Sequence, residues 1–360
     1  MDIRSQKIDL YRDVEGIPLH GESFDNMIRS LNKGELKYYQ FYNTEFNTYE
    51  YGWQKYLLKY QYLNKKFSAK VLNKNYYDIE TKFDPKEGPD PINTPFEVTS
   101  IALYNSLKNE VFIYYLRDKK HKLSDQEILK GIWDEYNVLS EDNPTYKIQD
   151  LKINFKSFWD ESELLQEYFL LAKSLGPLVS MGFNSSLFDD PYTINRLIKL
   201  IGEDNAYKYI SDFEVKKYGK YTYEFPDYIF VDMLKLYMPV DKGGRGMGKS
   251  LPRFKLDDIA EVELKINKLD LQGDFNEIYY NDPIRFATYN MLDTLLVYKI
   301  DAYKEFIEQL YFIAQYNNAT LSGVIRGMSF IYDNRNSFYY VDTGRLVREK
   351  KLNKEFLIDL

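Results

Sequence analysis

The sequence predicts a mixed α/β (α+β) fold, a sheet with helices on both faces, preceded by a small N-terminal α+β segment. Three observations predict it. Val98–Tyr104 and Val111–Leu116 are β-rich runs joined by the turn-forming Asn105-Ser106-Leu107-Lys108-Asn109, which reads as a hairpin. Short apolar runs then alternate with helical patterns between residues 164 and 231. A long helical segment follows from Arg285 to about Gln315. The chain has 360 residues, which at ~150 per domain makes about two domains. It is long enough to bury a large core without staples.

Residues 1–70 mix short apolar pieces with many Tyr and Lys and read as a lead-in domain. The main domain runs from 71 to 305, and 306–360 begin a connection to something further. Val71-Leu72 and Tyr76-Tyr77-Asp78-Ile79 read as one strand, with room for a bulge between them. Residues 117–150, around Pro144, read as a charged insertion. Leu164, Leu165, Tyr168, Phe169, Leu171, Ala172 and Leu175 recur at helical spacing, and Gly176-Pro177 stops them. Leu178–Phe183 is a buried strand. Asp190-Pro191 then reads as an N-cap with proline at the first helical position, ahead of Ile194, Leu197, Ile198 and Ile201 on one face. Tyr228–Val231 is another buried strand. Arg285 to Gln315 is one helix or two.

Composition removes several kinds of chemistry. There is no cysteine and there are two histidines, His20 and His121. Thiolate nucleophiles, zinc ribbons, iron–sulfur clusters and HExxH helices are therefore excluded. Chemistry must come from carboxylates, lysines, tyrosines or a metal held by oxygen. The net charge is -7, unlike the basic balance of a nucleic-acid coat or a membrane-surface protein. A protein that gathers acids around Mg²⁺ need not be basic. The polar start, Met1-Asp2-Ile3-Arg4-Ser5-Gln6, lacks the apolar region of a signal peptide. No run approaches 18 apolar residues, so the expectation is no membrane span and a soluble, intracellular (cytoplasmic) protein. The 35 Tyr and 23 Phe fit either an AT-rich coding bias or rings that stack on bases, and composition does not separate the two.

Three carboxylate motifs stand out. Asp78 and Glu80 lie two apart on a strand, hence on one face, with Tyr77 and Ile79 on the other. Paired carboxylates repel unless a cation sits between them, although a solvated outer face also explains them. Gly182-Phe183-Asn184-Ser185-Ser186-Leu187-Phe188-Asp189-Asp190-Pro191-Tyr192 lies at the carboxyl end of a buried strand, where α/β ligand sites form. There Asn184 could bond a substrate, Phe188 could anchor the turn and Asp189 could reach a metal. An ordinary helix cap reads equally well. Tyr289 and Asp293, spaced i and i+4, share a helix face, so Tyr289 could place a water beside a metal held by Asp293.

Taken in order, Asp-x-Glu, Asn-x-x-x-Phe-Asp and Tyr-x-x-x-Asp resemble the three exonuclease motifs of family B DNA polymerases. Further runs resemble the T-even-phage branch: Phe83-Asp84-Pro85, Pro89-Asp90-Pro91, Phe96–Ile101, Asp232–Tyr237, Leu251–Ala260 and Leu321–Val324. The likeness covers about residues 70–335. It implies a ribonuclease H-like fold and a 3′–5′ exonuclease that removes nucleotides from single-stranded DNA or a frayed primer 3′ end. It also implies two Mg²⁺ (or Mn²⁺). Asp78 would bridge them, Glu80 and Asp293 would hold the nucleophile-side ion, Asp189 would support the other, and Tyr289 would orient the water. Asn184 would touch the terminal nucleotide, and Phe83 would be a wedge against unpaired bases. Hard cations take oxygen ligands, in keeping with a site that uses neither Cys nor His. A phage origin would place the protein in the host cytoplasm.

The resemblance also implies a strand-transfer hairpin, and Val215–Tyr223, with Lys217 and a Gly219 turn, occupies its place in a shortened form. A plain surface hairpin explains it as well. Gly243-Gly244-Arg245-Gly246-Met247-Gly248-Lys249-Ser250 satisfies the Walker A pattern literally. The segment before it reads as helix, however, and Pro252 falls where a phosphate-binding loop needs a helix. A flexible basic loop is the better reading, with Arg245 and Lys249 available to DNA phosphates. Tyr340-Val341-Asp342-Thr343-Gly344 is similar to a polymerase motif, but Gly344 stands where the second metal-binding Asp belongs. Residues 306–360 would begin the connection to a polymerase palm, and the residues after 335 are too few for palm, fingers and thumb. The expectation is a proofreading exonuclease, whether a fragment, one half of a split polymerase with a separate polymerase subunit and replisome proteins as partners, or a stand-alone enzyme; the alternative is a non-catalytic DNA-binding half of a split polymerase.

Overall fold

The computed structural model describes residues 72–327, apart from 83, 85, 221, 226, 267, 268, 270, 272 and 317–320. The expectations for residues 1–70, for Phe83 and for Tyr340–Gly344 lie outside the described residues. Lys70–Ile307 form one compact unit.

A six-stranded sheet runs through that unit. Its strands are β1 (Lys74–Thr81), β2 (Val98–Asn105), β3 (Glu110–Leu116), β4 (Lys152–Phe158), β5 (Val179–Gly182) and, after a hairpin, β8 (Ile229–Asp232). The order is β4-β3-β2-β1-β5-β8. β2 is antiparallel to both β1 and β3, and the β3–β4, β1–β5 and β5–β8 pairs are parallel. Only β2 therefore runs against the rest of the sheet. The hairpin read from Asn105–Asn109 forms, with Asn109 in the left-handed region at φ 57°. β1 starts at Lys74, later than expected. The irregularity comes at its other end, where Glu80 pairs with Ser100 but Thr81 with Val98, so Thr99 bulges. Bulges commonly sit beside active sites, where they re-aim side chains.

The expected charged insertion is instead a helix, α1 (Asp125–Asp142), followed by a short 3₁₀ turn, Pro144–Tyr146. Ser124 and Glu127 close a capping box on it, and Ile128, Ile132, Tyr136 and Ser140 form its buried stripe. Gly131 lies on α1 where a Cβ would come within 2.4 Å of the Ile284 side chain, so the close approach needs a glycine.

α2 (Glu161–Ser174), α3 (Asp189–Ile201) and α4 (Glu203–Ile210) cover one sheet face. Tyr77, Ile79, Ile101 and Leu103 pack there against Leu164, Tyr168, Phe169, Tyr192, Ile194 and Leu197. Full burial of one Leu or Ile side chain contributes about 1.5–3 kcal/mol, so this cluster holds the layer together.

α8 (Pro283–Lys304) covers the other face. It follows α5 (Met233–Tyr237), α6 (Leu256–Leu264) and α7 (Phe275–Asn281). Residues on β1 alternate between the two layers, as the period of two requires. Lys74 and Tyr76 reach Asp301 of α8, at 2.7 and 2.5 Å, and Asp78 faces Asn290. The long helical segment is two helices. Glu305 ends α8 in the left-handed region at φ 54°, and α9 (Phe306–Tyr316) begins after it. α10 spans Leu321–Arg326. No helix among the described residues is long and apolar enough to cross a membrane.

β6 (Lys216–Tyr218) and β7 (Thr222–Glu224) form the expected two-stranded hairpin, turned at Gly219 with φ 66°. The 243–250 loop follows helix α5 and a short 3₁₀ turn, with no strand before it, and α6 begins only at Leu256. It is not a phosphate-binding loop. Nor is it a loose one. The amides of Gly244, Arg245, Gly246, Met247 and Gly248 donate to the carbonyls of Pro239, Lys235, Met238, Leu236 and Tyr237, at 2.7–3.1 Å. Those are the amides a phosphate would need.

Candidate active site

The site forms where β1 meets α8. Asp78 and Glu80 project from one face of β1, and Asp293 comes from the middle of the helix that covers that face. One carboxylate oxygen from each lies within 4.8 Å of the others. Oxygen ligands sit at ~2.0–2.6 Å from Mg²⁺ or Ca²⁺, so ligands sharing one ion are at most about 5 Å apart. The three carboxylates fit a hard divalent cation, and their mutual repulsion is relieved by one. Asp293 is 2% exposed, while Asp78 and Glu80 are half-buried. Tyr289 lies one turn before Asp293, half-buried, with its ring 6.4 Å from that of Phe275.

Asp189 is not one of these three. It opens α3 and is 5% exposed. β5 pairs with β1 only as far as Tyr76, and the Asp189 carboxyl lies against the next stretch, near the Ile79 N–H. Burial pushes this carboxyl up and its own N–H pulls it down. The Asp232 carboxylate pushes it further up, against the smaller pull of the Ile79 N–H.

Asp190 is not the N-cap that the sequence suggests. Phe188 holds the N-cap position without a side-chain bond, and Asp189, Asp190 and Pro191 form the first turn. Pro191 fits there because first-turn amides lack helical partners anyway. The Asp190 carboxylate turns inward and accepts from the Tyr77 hydroxyl. Burial raises it well above the usual range, and the Asp232 charge adds to that.

The turn before α3 is tied to the end of β8. Asn184 is left-handed, at φ 58°, and its amide donates to Asp232 Oδ1 at 3.0 Å. Ser186 Oγ donates to Asp232 Oδ2 at 2.6 Å. Phe188 packs its ring 5.1 Å from Tyr192 at the margin of the core, so it anchors the turn.

The cations expected to meet DNA stand outside the carboxylate cluster. Lys217 is exposed on β6, with Nζ 5.1 Å from the centre of the Tyr223 ring. Arg245 is half-buried, and burial lowers its pKa. Lys249 pairs with the buried Glu263 carboxylate at 3.2 Å.

Three polar residues around the site escape the sequence reading. Asn290 donates from Nδ2 to Asp78 Oδ2 at 2.9 Å and to the Asp78 carbonyl at 3.2 Å, and accepts from Ser100 Oγ at 2.8 Å. Its spacing of three from Asp293 was the available signal. Asp232 closes a buried strand, and Asp190 was absorbed into a capping pattern.

Residues 24–240 match the family described as DNA polymerase family B, exonuclease domain. That range contains Asp78, Glu80, Asn184 and Asp189 and ends before Tyr289 and Asp293. A DNA-directed DNA polymerase of Enterobacteria phage T4 is 26% identical over 260 residues, 69% of this chain and 27% of that protein. A DNA-directed DNA polymerase of Escherichia phage RB69 is 25% identical over 232 residues, 64% of this chain and 25% of that protein. The matched stretch thus spans about a quarter of each relative's length. The mixed sheet between helical layers is in keeping with the ribonuclease H-like exonuclease fold. By the extent of that match and the carboxylates it contains, this chain belongs to the exonuclease-domain family of the family B DNA polymerases.

Proposed function

We propose that this chain is a metal-dependent 3′–5′ exodeoxyribonuclease that hydrolyses the terminal phosphodiester of single-stranded or frayed DNA, as the proofreading part of a replicative polymerase. The convergence of Asp78, Glu80 and Asp293 carries this reading. Asp78, Glu80 and Asp293 would hold the nucleophile-side ion, and Asp78 would also contribute to the leaving-group side that Asp189 would serve. Two divalent ions, Mg²⁺ or Mn²⁺, when bound, supply a water nucleophile at neutral pH and stabilise the leaving oxygen.

The chain's own residues do the positioning. The Tyr289 hydroxyl, one turn from Asp293, holds the attacking water in line with the phosphorus. Asn184, fixed through its amide to Asp232, presents its side chain to the terminal nucleotide. Burial of Asp293 and Asp189 keeps bulk water from screening the charges that organise the reaction. A role beside DNA synthesis belongs to the same proposal, because the relatives are named DNA-directed DNA polymerases.

The test is digestion of a 5′-labelled single strand with Mg²⁺ or Mn²⁺. A ladder shortening from the 3′ end is expected, abolished by EDTA and by Asp78→Ala or Asp293→Ala. No ladder with either metal would leave the non-catalytic DNA-binding reading in its place.

A further inference from the structure

We infer that Asn290 is a positioning residue for the metal site, and that Ser100 steadies it. The inference rests on the metal-dependent reading above and adds to it a residue that the three carboxylate motifs do not include.

Asn290 and Ser100 are both wholly buried. The Ser100 hydroxyl donates to Asn290 Oδ1 at 2.8 Å. The carbonyl and carboxylate of Asp78 only accept, so they fix Nδ2 toward β1 and leave Oδ1 to accept from Ser100. Nδ2 then donates to both the side chain and the main chain of Asp78, at 2.9 and 3.2 Å. Two bonds from one nitrogen to one residue fix the carboxylate relative to its own backbone.

The chemistry explains why an amide stands here. Three carboxylates with oxygens within 4.8 Å of one another repel, and repulsion favours rotamers that splay them. A Lys or Arg beside Asp78 would hold it, but would also neutralise the charge that attracts the cation. A neutral amide holds the carboxylate and leaves its charge in place. The Ser100–Asn290–Asp78 chain therefore bridges β2, α8 and β1 and sets the ligand before the ion arrives. Residues that orient a metal ligand in this way typically contribute about 10–100-fold in metal affinity or activity.

The test uses the full chain and measures Mn²⁺ binding directly, by titration calorimetry or by loss of the free-ion electron paramagnetic resonance signal. Asn290→Ala should weaken Mn²⁺ binding by about 10-fold or more, within the usual range for such residues. Ser100→Ala, which removes the partner of Asn290 Oδ1, should weaken it by a smaller factor. In an Asp78→Ala background, Asn290→Ala should have no further effect, because the carboxylate that it holds is gone. Thermal melts of each variant separate misfolding from lost binding. In the nuclease assay, Asn290→Ala should raise the half-saturating metal concentration and recover rate as metal is added. Wild-type Mn²⁺ affinity in a folded Asn290→Ala protein, or an undiminished effect in the Asp78→Ala background, overturns the inference while the exonuclease reading stands. A wild-type chain that binds no Mn²⁺ overturns both.

Discussion

The ion pair between Arg196 and Glu161 gives a sharp test of how the site's scaffold is held. Arg196 lies on α3, the helix that begins with Asp189, and Glu161 opens α2. Both side chains are under 10% exposed, at 9% and 8%. Arg196 Nε and Nη2 donate to the two Glu161 oxygens at 2.8 and 2.6 Å, and Nη1 donates to the Thr94 carbonyl at 2.9 Å. Glu161 Oε1 also accepts from the Val98 amide at 2.7 Å, at the end of β2 that pairs beside the Thr99 bulge. Arg196→Met keeps most of the side-chain volume but leaves a buried carboxylate with the Val98 N–H as its remaining partner among these bonds. Breaking a buried pair in this way costs about 3–5 kcal/mol. Adding Glu161→Gln removes the stranded charge and keeps an acceptor for Val98. The double variant should therefore recover on the order of 2 kcal/mol relative to Arg196→Met alone. Urea unfolding, followed by far-ultraviolet circular dichroism, measures all three proteins. A loss below about 1 kcal/mol for Arg196→Met, or a double variant no more stable than the single, would refute the reasoning, since an exposed pair has that magnitude.

Two further outcomes are expected. Tyr289→Phe removes only a hydroxyl, so Mn²⁺ affinity should stay at the wild-type value while kcat falls by roughly 100-fold, the cost of a misplaced nucleophile; single-turnover kinetics at saturating metal checks it, and an unchanged kcat assigns the water to another group. Lys299 donates to the Lys147 carbonyl at 3.1 Å, and burial lowers its pKa to about 8. The unfolded chain titrates this group near ~10.4, so between these values it binds more protons than the folded one, and stability rises with pH across that window. Measured against Lys299→Met by urea unfolding at pH 8 and pH 10, the wild type should gain on the variant at the higher pH. A constant difference would mean that Lys299 keeps an ordinary pKa.

The fold was legible where one residue pattern had one structural reading. Alternation along Tyr76-Tyr77-Asp78-Ile79-Glu80 placed two carboxylates on one face, and the structure puts Tyr77 and Ile79 in the opposite core. β4 is not legible in the sequence because Lys152, Asn154, Lys156 and Ser157 give it the polar look of a loop. Charged residues are how an edge strand avoids pairing with another chain, and β4 is an edge of the sheet. α1 carries a capping-box signature, Ser124-Asp125-Gln126-Glu127, but its charged face hides a one-residue-wide buried stripe. The start of α3 was misplaced because the structure caps it with no side chain, and capping rules then favour Asp190 over Phe188. Proximity was the least legible feature. Asn290 and Asp78 are 212 residues apart in the chain, and no local spacing connects them. Asp232 and Asn184 meet over 48 residues for the same reason, through the parallel pairing of β5 with β8.

In this proposal Asp78, Glu80 and Asp293 together hold a divalent ion. Anomalous diffraction from crystals of the full chain soaked in Mn²⁺ tests it most directly. A manganese peak bonded to oxygens of all three carboxylates is expected, with no such peak in crystals of Asp293→Ala. A fully soaked wild-type crystal with no peak there, or with manganese bound only elsewhere, would contradict it.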